Sequence, residues 1–274
     1  MQYDDLKLFI QDRKVDLFLL DACGVLYDGL NIFSNIPETI NELRKKAEIR
    51  LVTNNSSLPP HTIASNFKSY NIHIEEQEII SSGFGLYLDP KIHKLIKNKK
   101  VYIYGKKPSY FYVEQAAPHS ILQELDQAEV IIFTDTLPSH EHYQTFPKLI
   151  EHLKQHKEIT LICCNPDRYI NYNHELMPVI GHYADEVVKH TGLKMHWVGK
   201  PYKNFSILTE KMLLEEGLLT NRENIYFFDD NFSNLKRLTR DLKIKGVLVK
   251  DTGISKNNKI TNIEEYDVVN NFSL

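Results

Sequence analysis

Short apolar runs rich in β-branched residues alternate with segments of helical periodicity along this 274-residue chain. The eight clearest runs are residues 15–21, 49–53, 101–105, 129–135, 159–165, 195–200, 224–230 and 246–251. Between two of them, residues 146–153 place apolar side chains at the i, i+3, i+4, i+7 spacing of an amphipathic helix. Pro59 and Pro60 predict another helix, which runs to about Tyr70. This alternation predicts an α/β fold with a parallel sheet and crossover helices.

Composition limits the class of protein and its partners. A hydrophobic content of 42% is enough for the cores of one large domain or two ordinary ones. The 33 Lys and Arg against 36 Asp and Glu give a net charge of -3, which offers no electrostatic basis for binding nucleic acid or a membrane surface. No window reaches the roughly 18 uncharged apolar residues of a membrane helix, and the first residues do not resemble an export signal. We therefore expect a soluble chain that stays in the cytoplasm.

The three cysteines support neither a disulfide framework nor a zinc site. Cys163 and Cys164 are adjacent and Cys23 stands alone, so the count is odd and C-x-x-C spacing is absent from the sequence. The twelve histidines are scattered and show no ligand spacing. Metal chemistry, if present, is therefore expected to use oxygen ligands.

Several of the predicted strands end in polar residues. Parallel strands present their carboxyl ends at one edge of the sheet, where ligands bind, so we expect these side chains to share one site: Asp21, Thr53, Lys200, Asp229 and Asp230. A carboxylate there can attack phosphorus if a divalent cation screens its charge. Mg²⁺ prefers oxygen ligands, which Asp21 and Asp229 would supply. The hydroxyl and amides of LVTNNSS (51–57) can hold phosphate oxygens, and Lys200 can place a positive charge on the transferring group.

Taken in order, four segments resemble the motifs of the haloacid dehalogenase superfamily of phosphohydrolases: DACGVLYDG (21–29), LVTNN (51–55), VGKP (198–201) and YFFDDNFSN (226–234). The TNN, NPD (165–167), GKP and GVLVKDTG (246–253) segments are similar to the class IIA branch, which includes nitrophenyl-phosphatase-like and pyridoxal-phosphatase-like enzymes. The resemblance implies a Rossmann-like three-layer core with an inserted α/β cap domain. We expect the core to comprise residues 1–81 and 187–274, and the cap residues 82–186.

The resemblance also implies roles for individual residues. Asp21 would be the nucleophile, forming an aspartyl-phosphate, and the phosphate would be held by Thr53, Asn54, Asn55 and Lys200. The expected cofactor is Mg²⁺, held by Asp21, the backbone carbonyl of Cys23, Asp229 and Asp230. The expected partner is a small phosphorylated substrate, and dimerisation through the cap is a further expectation. Each residue keeps an ordinary structural alternative, because strand-end acids often cap turns and turn residues often bond their own backbone.

Two positions depart from the family pattern. Cys23 stands where the family has an Asp that serves as general acid and then as base, and a thiol with an ordinary pKa near 8.5 is a poor substitute. It is interpreted as a small filler rather than a nucleophile, since no histidine is placed by sequence to activate it. Asn234 stands where a second metal-binding acid is usual, and the adjacent Asp230 is the alternative ligand. We therefore expect metal and phosphate binding to be retained better than the hydrolysis of esters with poor leaving groups.

Two functions remain open from the sequence. The first is a magnesium-dependent phosphatase acting on a small phosphorylated metabolite. The second is a protein that binds a metal and a phosphorylated ligand with negligible turnover, an alternative that rests on Cys23. A dehalogenase is disfavoured, because that reaction needs no magnesium and the fourth motif is of the metal-binding type.

Overall fold

The computed structural model describes residues 1–11, 13–29, 31–122, 124–134, 140–172, 175–257, 263 and 265–274, and the side chains of residues 140–143 are left aside. In chain order the strands are β1 (Gln2–Tyr3), β2 (Leu17–Leu20), β3 (Tyr27–Asp28), β4 (Asn31–Ile32), β5 (Glu48–Thr53), β6 (Ile79–Ser81), β7 (Val101–Tyr104), β8 (Ile121–Leu122), β9 (Val130–Phe133), β10 (Thr160–Cys163), β11 (Tyr169–Tyr172), β12 (Glu175–Pro178), β13 (Met195–Trp197), β14 (Ile225–Asp229), β15 (Lys245–Val249) and β16 (Asp267–Val269). Each of the eight predicted runs overlaps one of these strands. Asp135, the end of one predicted run, lies outside the described residues.

Ten α-helices connect the strands of this described part. They are α1 (Leu6–Gln11), α2 (Ile36–Arg44), α3 (Pro60–Ser69), α4 (Gly85–Leu88), α5 (Pro90–Ile96), α6 (Tyr110–Ala116), α7 (His140–Gln155), α8 (Ile180–Thr191), α9 (Lys203–Glu215) and α10 (Phe232–Leu242). The helix predicted from the two prolines is α3, and the apolar stripe of residues 146–153 lies in α7. Pro60 occupies the first turn of α3, where its missing N–H costs no hydrogen bond.

The first sheet is the core of the molecule. It has seven parallel strands in the order β1-β16-β15-β14-β2-β5-β6. Its central strands are almost continuously apolar, as expected for a parallel sheet covered on both faces. One face packs on side chains of α1, α2 and α3, and the other on side chains of α9 and α10. This three-layer arrangement confirms the predicted Rossmann-like α/β core.

The chain order places the early and late motifs side by side. Strand β2 lies between β14 and β5, with Leu20 paired to Phe228 and to Leu51. The residue after β2, Asp21, donates its backbone N–H to the carbonyl oxygen of Phe228 at 2.8 Å. Both ends of the chain therefore contribute to one sheet edge, as the strand-end pattern predicts.

A second lobe forms the cap. Its sheet has five parallel strands in the order β13-β10-β9-β7-β8, and an antiparallel hairpin of β11 and β12 accompanies it. Two further apolar clusters cover its faces. The strand β13 pairs with β10, so the cap sheet extends past the end predicted at residue 186, which fell inside α8. In the described part of the chain, none of the helices has the length and apolar content needed to cross a membrane.

Candidate active site

Lys200 is the centre of a buried ionic cluster. Its side chain is 2% exposed, and Nζ lies 2.7 Å from Asp21 Oδ1 and 2.8 Å from Asp229 Oδ2. The amine also donates to the carbonyl oxygen of Val52 at 2.9 Å. Burial alone would lower the pKa of Lys200, but Asp21 and Asp229 raise it above its ordinary value. The amine therefore carries its charge between the two predicted metal ligands.

Three carboxylates gather beside this amine at the tips of β2 and β14. One oxygen from each of Asp21, Asp229 and Asp230 lies within 4.8 Å of the others, and all three residues are buried. Burial raises the pKa of Asp229 to about 8 even though Lys200 acts to lower it. Burial also raises the pKa of Asp230, and the charges of Asp229 and Asp21 raise it further. If all three buried acids were ionised beside one amine, the site would carry net negative charge, and a divalent cation would neutralise it.

Asn234 gives a second indication that these residues fit a cation. Its Oδ1 atom is buried and has no hydrogen-bond partner among the residues that the structure describes. It lines the same cavity as Asp21 and Asp230. An oxygen-rich set of three carboxylates and an amide carbonyl is the chemistry that Mg²⁺ or its bound water prefers. The residues present therefore fit the predicted magnesium site.

Asp230 is held against the backbone of the first motif. Ile254 donates its N–H to Asp230 Oδ2 at 2.5 Å. Gly24 has a φ of 89°, and a Cβ added there would lie 2.4 Å from the carboxylate of Asp230. Only glycine combines that left-handed backbone with so close an approach. The glycine after Cys23 therefore brings the turn of the first motif onto the acid of the fourth.

The second motif shapes a loop after β5. Thr53 Oγ1 accepts a hydrogen bond from Asn55 N at 3.1 Å, and Asn55 Oδ1 accepts from the backbone of Ser57 at 3.1 Å. Asn54 is engaged differently: its Oδ1 accepts from Lys200 N at 2.7 Å, and its Nδ2 donates to Lys200 O at 3.0 Å. The side chain of Asn54 thus holds the lysine backbone. Phosphate binding by these three residues stays a prediction.

Cys23 is a half-buried thiol at the mouth of this cluster. Burial raises its pKa well above the ordinary value, and the charges of Asp230 and Asp21 raise it further. Both causes favour the thiol over the thiolate, which is the nucleophilic form of a cysteine. The interpretation of Cys23 as a filler stays a prediction.

One residue that approaches the site was not among the predicted site residues. Asp167, from the NPD segment of the cap, accepts a hydrogen bond from Asn54 Nδ2 at 3.0 Å and a further one from Asn234. Burial raises the pKa of Asp167 to about 6, although Lys200 acts to lower it. The NPD motif was the available signal, but a local sequence pattern does not show which core residues a cap residue meets.

Core and cap enclose a cavity of about 550 Å³ that opens onto Asp21, Cys23 and Thr53. We call it the cap–core cavity. The cap contributes Asn171 and Tyr172 of β11 to its lining, and the core contributes Tyr27 of β3. Its volume lies within the range of about 300–1,000 Å³ that is usual for small-molecule sites. The arrangement can therefore hold a phosphate at the strand tips and the rest of a small molecule beneath the cap.

Comparisons with known proteins agree with this architecture. A model of haloacid dehalogenase-like hydrolases matches residues 18–117. Phosphoglycolate phosphatase 1A of Arabidopsis thaliana is 27% identical over 160 residues, which are 58% of this chain and only 40% of that protein. The 4-nitrophenylphosphatase of Schizosaccharomyces pombe is 23% identical over 282 residues, covering 90% of this chain and 87% of that protein. A structure described as a possible sugar phosphatase from Cytophaga hutchinsonii superposes with a TM-score of 0.79 at 20% identity, covering 99% and 98% of the two chains.

The fold and the acid cluster place this protein in a class. Its members are Rossmann-like α/β proteins with acidic residues at the ends of the core strands and an inserted cap above them. Within that class, residues 18–117 match the model of haloacid dehalogenase-like hydrolases, and nearly the whole chain is similar to proteins of the class IIA type such as the 4-nitrophenylphosphatase above. The family resemblance stated from the four motifs is therefore confirmed.

Proposed function

We propose that this chain is a magnesium-dependent phosphatase that hydrolyses small phosphate monoesters through an aspartyl-phosphate on Asp21. The observation that carries the proposal is the buried amine of Lys200 between Asp21 and Asp229, with Asp230 completing a cluster of three acids. A buried cation that contacts both the proposed nucleophile and a proposed metal ligand has a clear use in phosphoryl transfer. It holds the carboxylate in place and faces the charge of the phosphoryl group.

The chain's own residues account for the two chemical steps. A carboxylate oxygen of Asp21 forms a bond to phosphorus while the bond from phosphorus to the ester oxygen breaks, and the leaving oxygen takes a proton from water. Water then attacks the phosphorus of the aspartyl-phosphate, which releases inorganic phosphate and restores the carboxylate. Throughout, Lys200 orients Asp21, and the hydroxyl of Thr53 with the backbone amide of Asn54 would hold the phosphate oxygens.

The metal would be held by Asp21, Asp229, Asp230 and the backbone carbonyl of Cys23, with Asn234 Oδ1 available to it or to its water. When bound, Mg²⁺ would neutralise phosphate charge and so lower the repulsion between the carboxylate and its target. These acids are buried, and charge neutralisation is stronger there than in bulk water.

The second candidate is a binding protein with negligible turnover, and Cys23 is the observation that favours it. General acid and base assistance contributes roughly 100- to 10,000-fold in rate, and a protonated thiol supplies little of it. The enzyme is the better supported candidate, because the proposed nucleophile, lysine and metal acids are all assembled at one sheet edge.

Expected partners follow the same proposal. A small phosphorylated molecule suits a cavity of about 550 Å³, whereas the net charge of -3 gives nucleic acid or a membrane no attraction. Residence in the cytoplasm and pairing of two copies through the cap stay predictions.

The test is hydrolysis of 4-nitrophenyl phosphate with and without Mg²⁺, followed by a panel of metabolite monophosphates. We expect Asp21→Asn to abolish magnesium-dependent turnover, since an amide is a poor nucleophile and a weaker cation ligand. The matched control is Asp126→Asn, at an acid whose side chain is 93% exposed, and it should behave as the original protein. Substantial turnover by a folded Asp21→Asn protein would contradict the mechanism. Absence of turnover with every phosphate would favour the binding protein.

A further inference from the structure

A loop of residues 250–255 follows β15 and lies against the first motif. Lys250, its first residue, donates its N–H to the carbonyl oxygen of Val269 at 2.9 Å. At the other end, the buried hydroxyl of Ser255 lies 2.5 Å from Val249 O and 2.7 Å from Lys250 O. We call this segment the 250–255 loop. Because both of its ends are fixed to the core sheet, the contacts made between them are held in place.

The middle of the 250–255 loop contacts two motifs at once. Thr252 Oγ1 donates to the carbonyl oxygen of Gly24 at 2.5 Å, and Ile254 donates its N–H to Asp230 Oδ2 at 2.5 Å. Between these two residues, Gly253 has a φ of 55°, and an added Cβ would come 1.9 Å from Asp230 Oδ2 and 2.7 Å from Gly24 Cα. Only glycine allows so close an approach. The loop therefore holds the turn of the first motif against the acid of the fourth.

The contact with Gly24 controls the direction of the carbonyl group of Cys23. Gly24 N–H and the carbonyl of Cys23 belong to one trans peptide, so they point in opposite directions. Gly24 N donates to Tyr27 O at 2.8 Å, and Thr252 holds the carbonyl oxygen on the other side of Gly24 Cα. A glycine at a φ of 89° has no side chain to restrict its rotation. These two hydrogen bonds therefore fix the peptide of Cys23.

The two groups that the loop holds are oxygen ligands of the proposed magnesium site, namely the backbone carbonyl of Cys23 and the carboxylate of Asp230. Mg²⁺ requires its ligands in nearly ideal octahedral positions. Groups that orient ligands without touching the metal are therefore important for affinity, and their loss typically weakens metal binding by about 10- to 100-fold. The hydroxyl of Thr252 is such a group, because it fixes one ligand through the backbone and belongs to the loop that contacts the other.

We infer that Thr252 is a positioning residue that sets the Mg²⁺ affinity of this site, by holding the carbonyl of Cys23 and the carboxylate of Asp230 in one arrangement. The inference rests on the metal site of the proposed function and adds a residue that none of the four motifs contains. Thr252 acts through the backbone of Gly24 and takes no part in bond breaking.

The test measures the dissociation constant for Mg²⁺ by calorimetry on the full chain. Thr252→Val removes the hydroxyl and keeps the branched shape, and its dissociation constant should rise about 10- to 100-fold. Thr252→Ser keeps the hydroxyl and should restore most of the affinity. Thr220→Val, at an exposed threonine before β14, is the matched control and should bind Mg²⁺ as the original chain does. Thr252→Ala, which places no methyl group against Gly24 O, gives the same comparison should the valine variant misfold.

Thermal unfolding separates positioning of the metal ligands from ordinary stabilisation. A hydrogen bond with only a structural role would lower Tm by the same amount with and without Mg²⁺. If Thr252 sets the affinity, the increase in Tm that Mg²⁺ produces should be smaller in Thr252→Val than in the original chain. Equal dissociation constants for these two proteins, or a serine variant as weak as the valine variant, would overturn the inference.

Turnover of 4-nitrophenyl phosphate separates this inference from the proposed function. Magnesium-dependent turnover by the original chain, together with an unchanged Mg²⁺ affinity in Thr252→Val, would remove the inference alone. Mg²⁺ binding that depends on Thr252, without turnover of any phosphate, would remove the phosphatase and leave the inference standing. An original chain that binds no Mg²⁺ would contradict both.

Discussion

Replacing Lys200 by methionine keeps most of the volume of the side chain and removes the amine that joins the acid cluster. The amine makes three contacts, to Asp21 at 2.7 Å, to Asp229 at 2.8 Å and to the carbonyl oxygen of Val52 at 2.9 Å. Neither carboxylate gains a new partner when it is lost. The variant therefore leaves buried negative charge uncompensated, which is the most costly way to break an ion pair.

The expected cost follows from burial. The side chains of Lys200 and Asp229 are 2% and 0% exposed, so solvent screens little of the interaction. Removing one partner of a buried pair costs about 3–5 kcal/mol in the free energy of unfolding. For a chain of this size each kcal/mol lowers Tm by about 2–4 °C, so we expect a decrease of about 6–20 °C.

Thermal unfolding measured with and without Mg²⁺ checks this reasoning. Because Lys200 repels a cation, its loss should raise the affinity for Mg²⁺, so the metal should raise Tm more in Lys200→Met than in the original chain. Phosphatase activity should be lost in both conditions. Lys203→Met, at an exposed lysine three residues later, should leave Tm within about 1 °C. A Tm of Lys200→Met within about 2 °C of the original, or a weaker response to Mg²⁺, would refute a charged cluster.

Two further predictions concern the general acid that is missing at position 23 and the loss of stability at low pH. Cys23→Asp should raise turnover of alkyl phosphates by about 100-fold and of aryl phosphates by less, because alkyl leaving groups need a proton. Steady-state kinetics with both kinds of ester checks this. Loss of activity in Cys23→Ala would show instead that the thiol itself takes part in the reaction. The ion pair with Arg44 lowers the pKa of Glu78 below its ordinary 4.5, although burial alone would raise it. Its stabilisation is thus present above pH 4.5 and is lost as pH falls through the lowered pKa. In Glu78→Gln, Tm should be lower at neutral pH and should fall less on acidification, and parallel Tm curves for the two proteins would contradict this.

The strand-end acids could be predicted because their positions follow from local pattern and general topology. A strand such as β2 is recognisable from its apolar run, and parallel strands bring their carboxyl ends together wherever they lie in the sequence. Asp21 and Asp229 could therefore be placed at one edge across about two hundred residues of chain. Lys200 was predicted to face the phosphate, and the structure adds that it bridges the two acids.

Contacts between the lobes could not be predicted in the same way. Asp167 and Asn171 reach the core from the cap, and their partners depend on how two separately packed sheets face each other, which no local periodicity encodes. Asn54 illustrates the same limit within a recognised motif. The TNN pattern predicted phosphate binding, which stays a prediction, but it gave no sign that the side chain of Asn54 holds the backbone of Lys200, a residue 146 positions away.

The hydrogen bonds between Asn54 and the backbone of Lys200 affect how the substrate specificity of such a protein can evolve. The cap sheet ends with β13, only three residues before the lysine, so changes in the cap would otherwise be transmitted directly to the reactive centre. Asn54, which follows β5 of the core, ties the peptide groups on both sides of Lys200 to the core, and it also donates to Asp167 of the cap. Mutations can therefore accumulate beneath the cap and alter the molecules it admits while the amine keeps its position among the carboxylates. New specificities can arise in such a scaffold without rebuilding its chemistry.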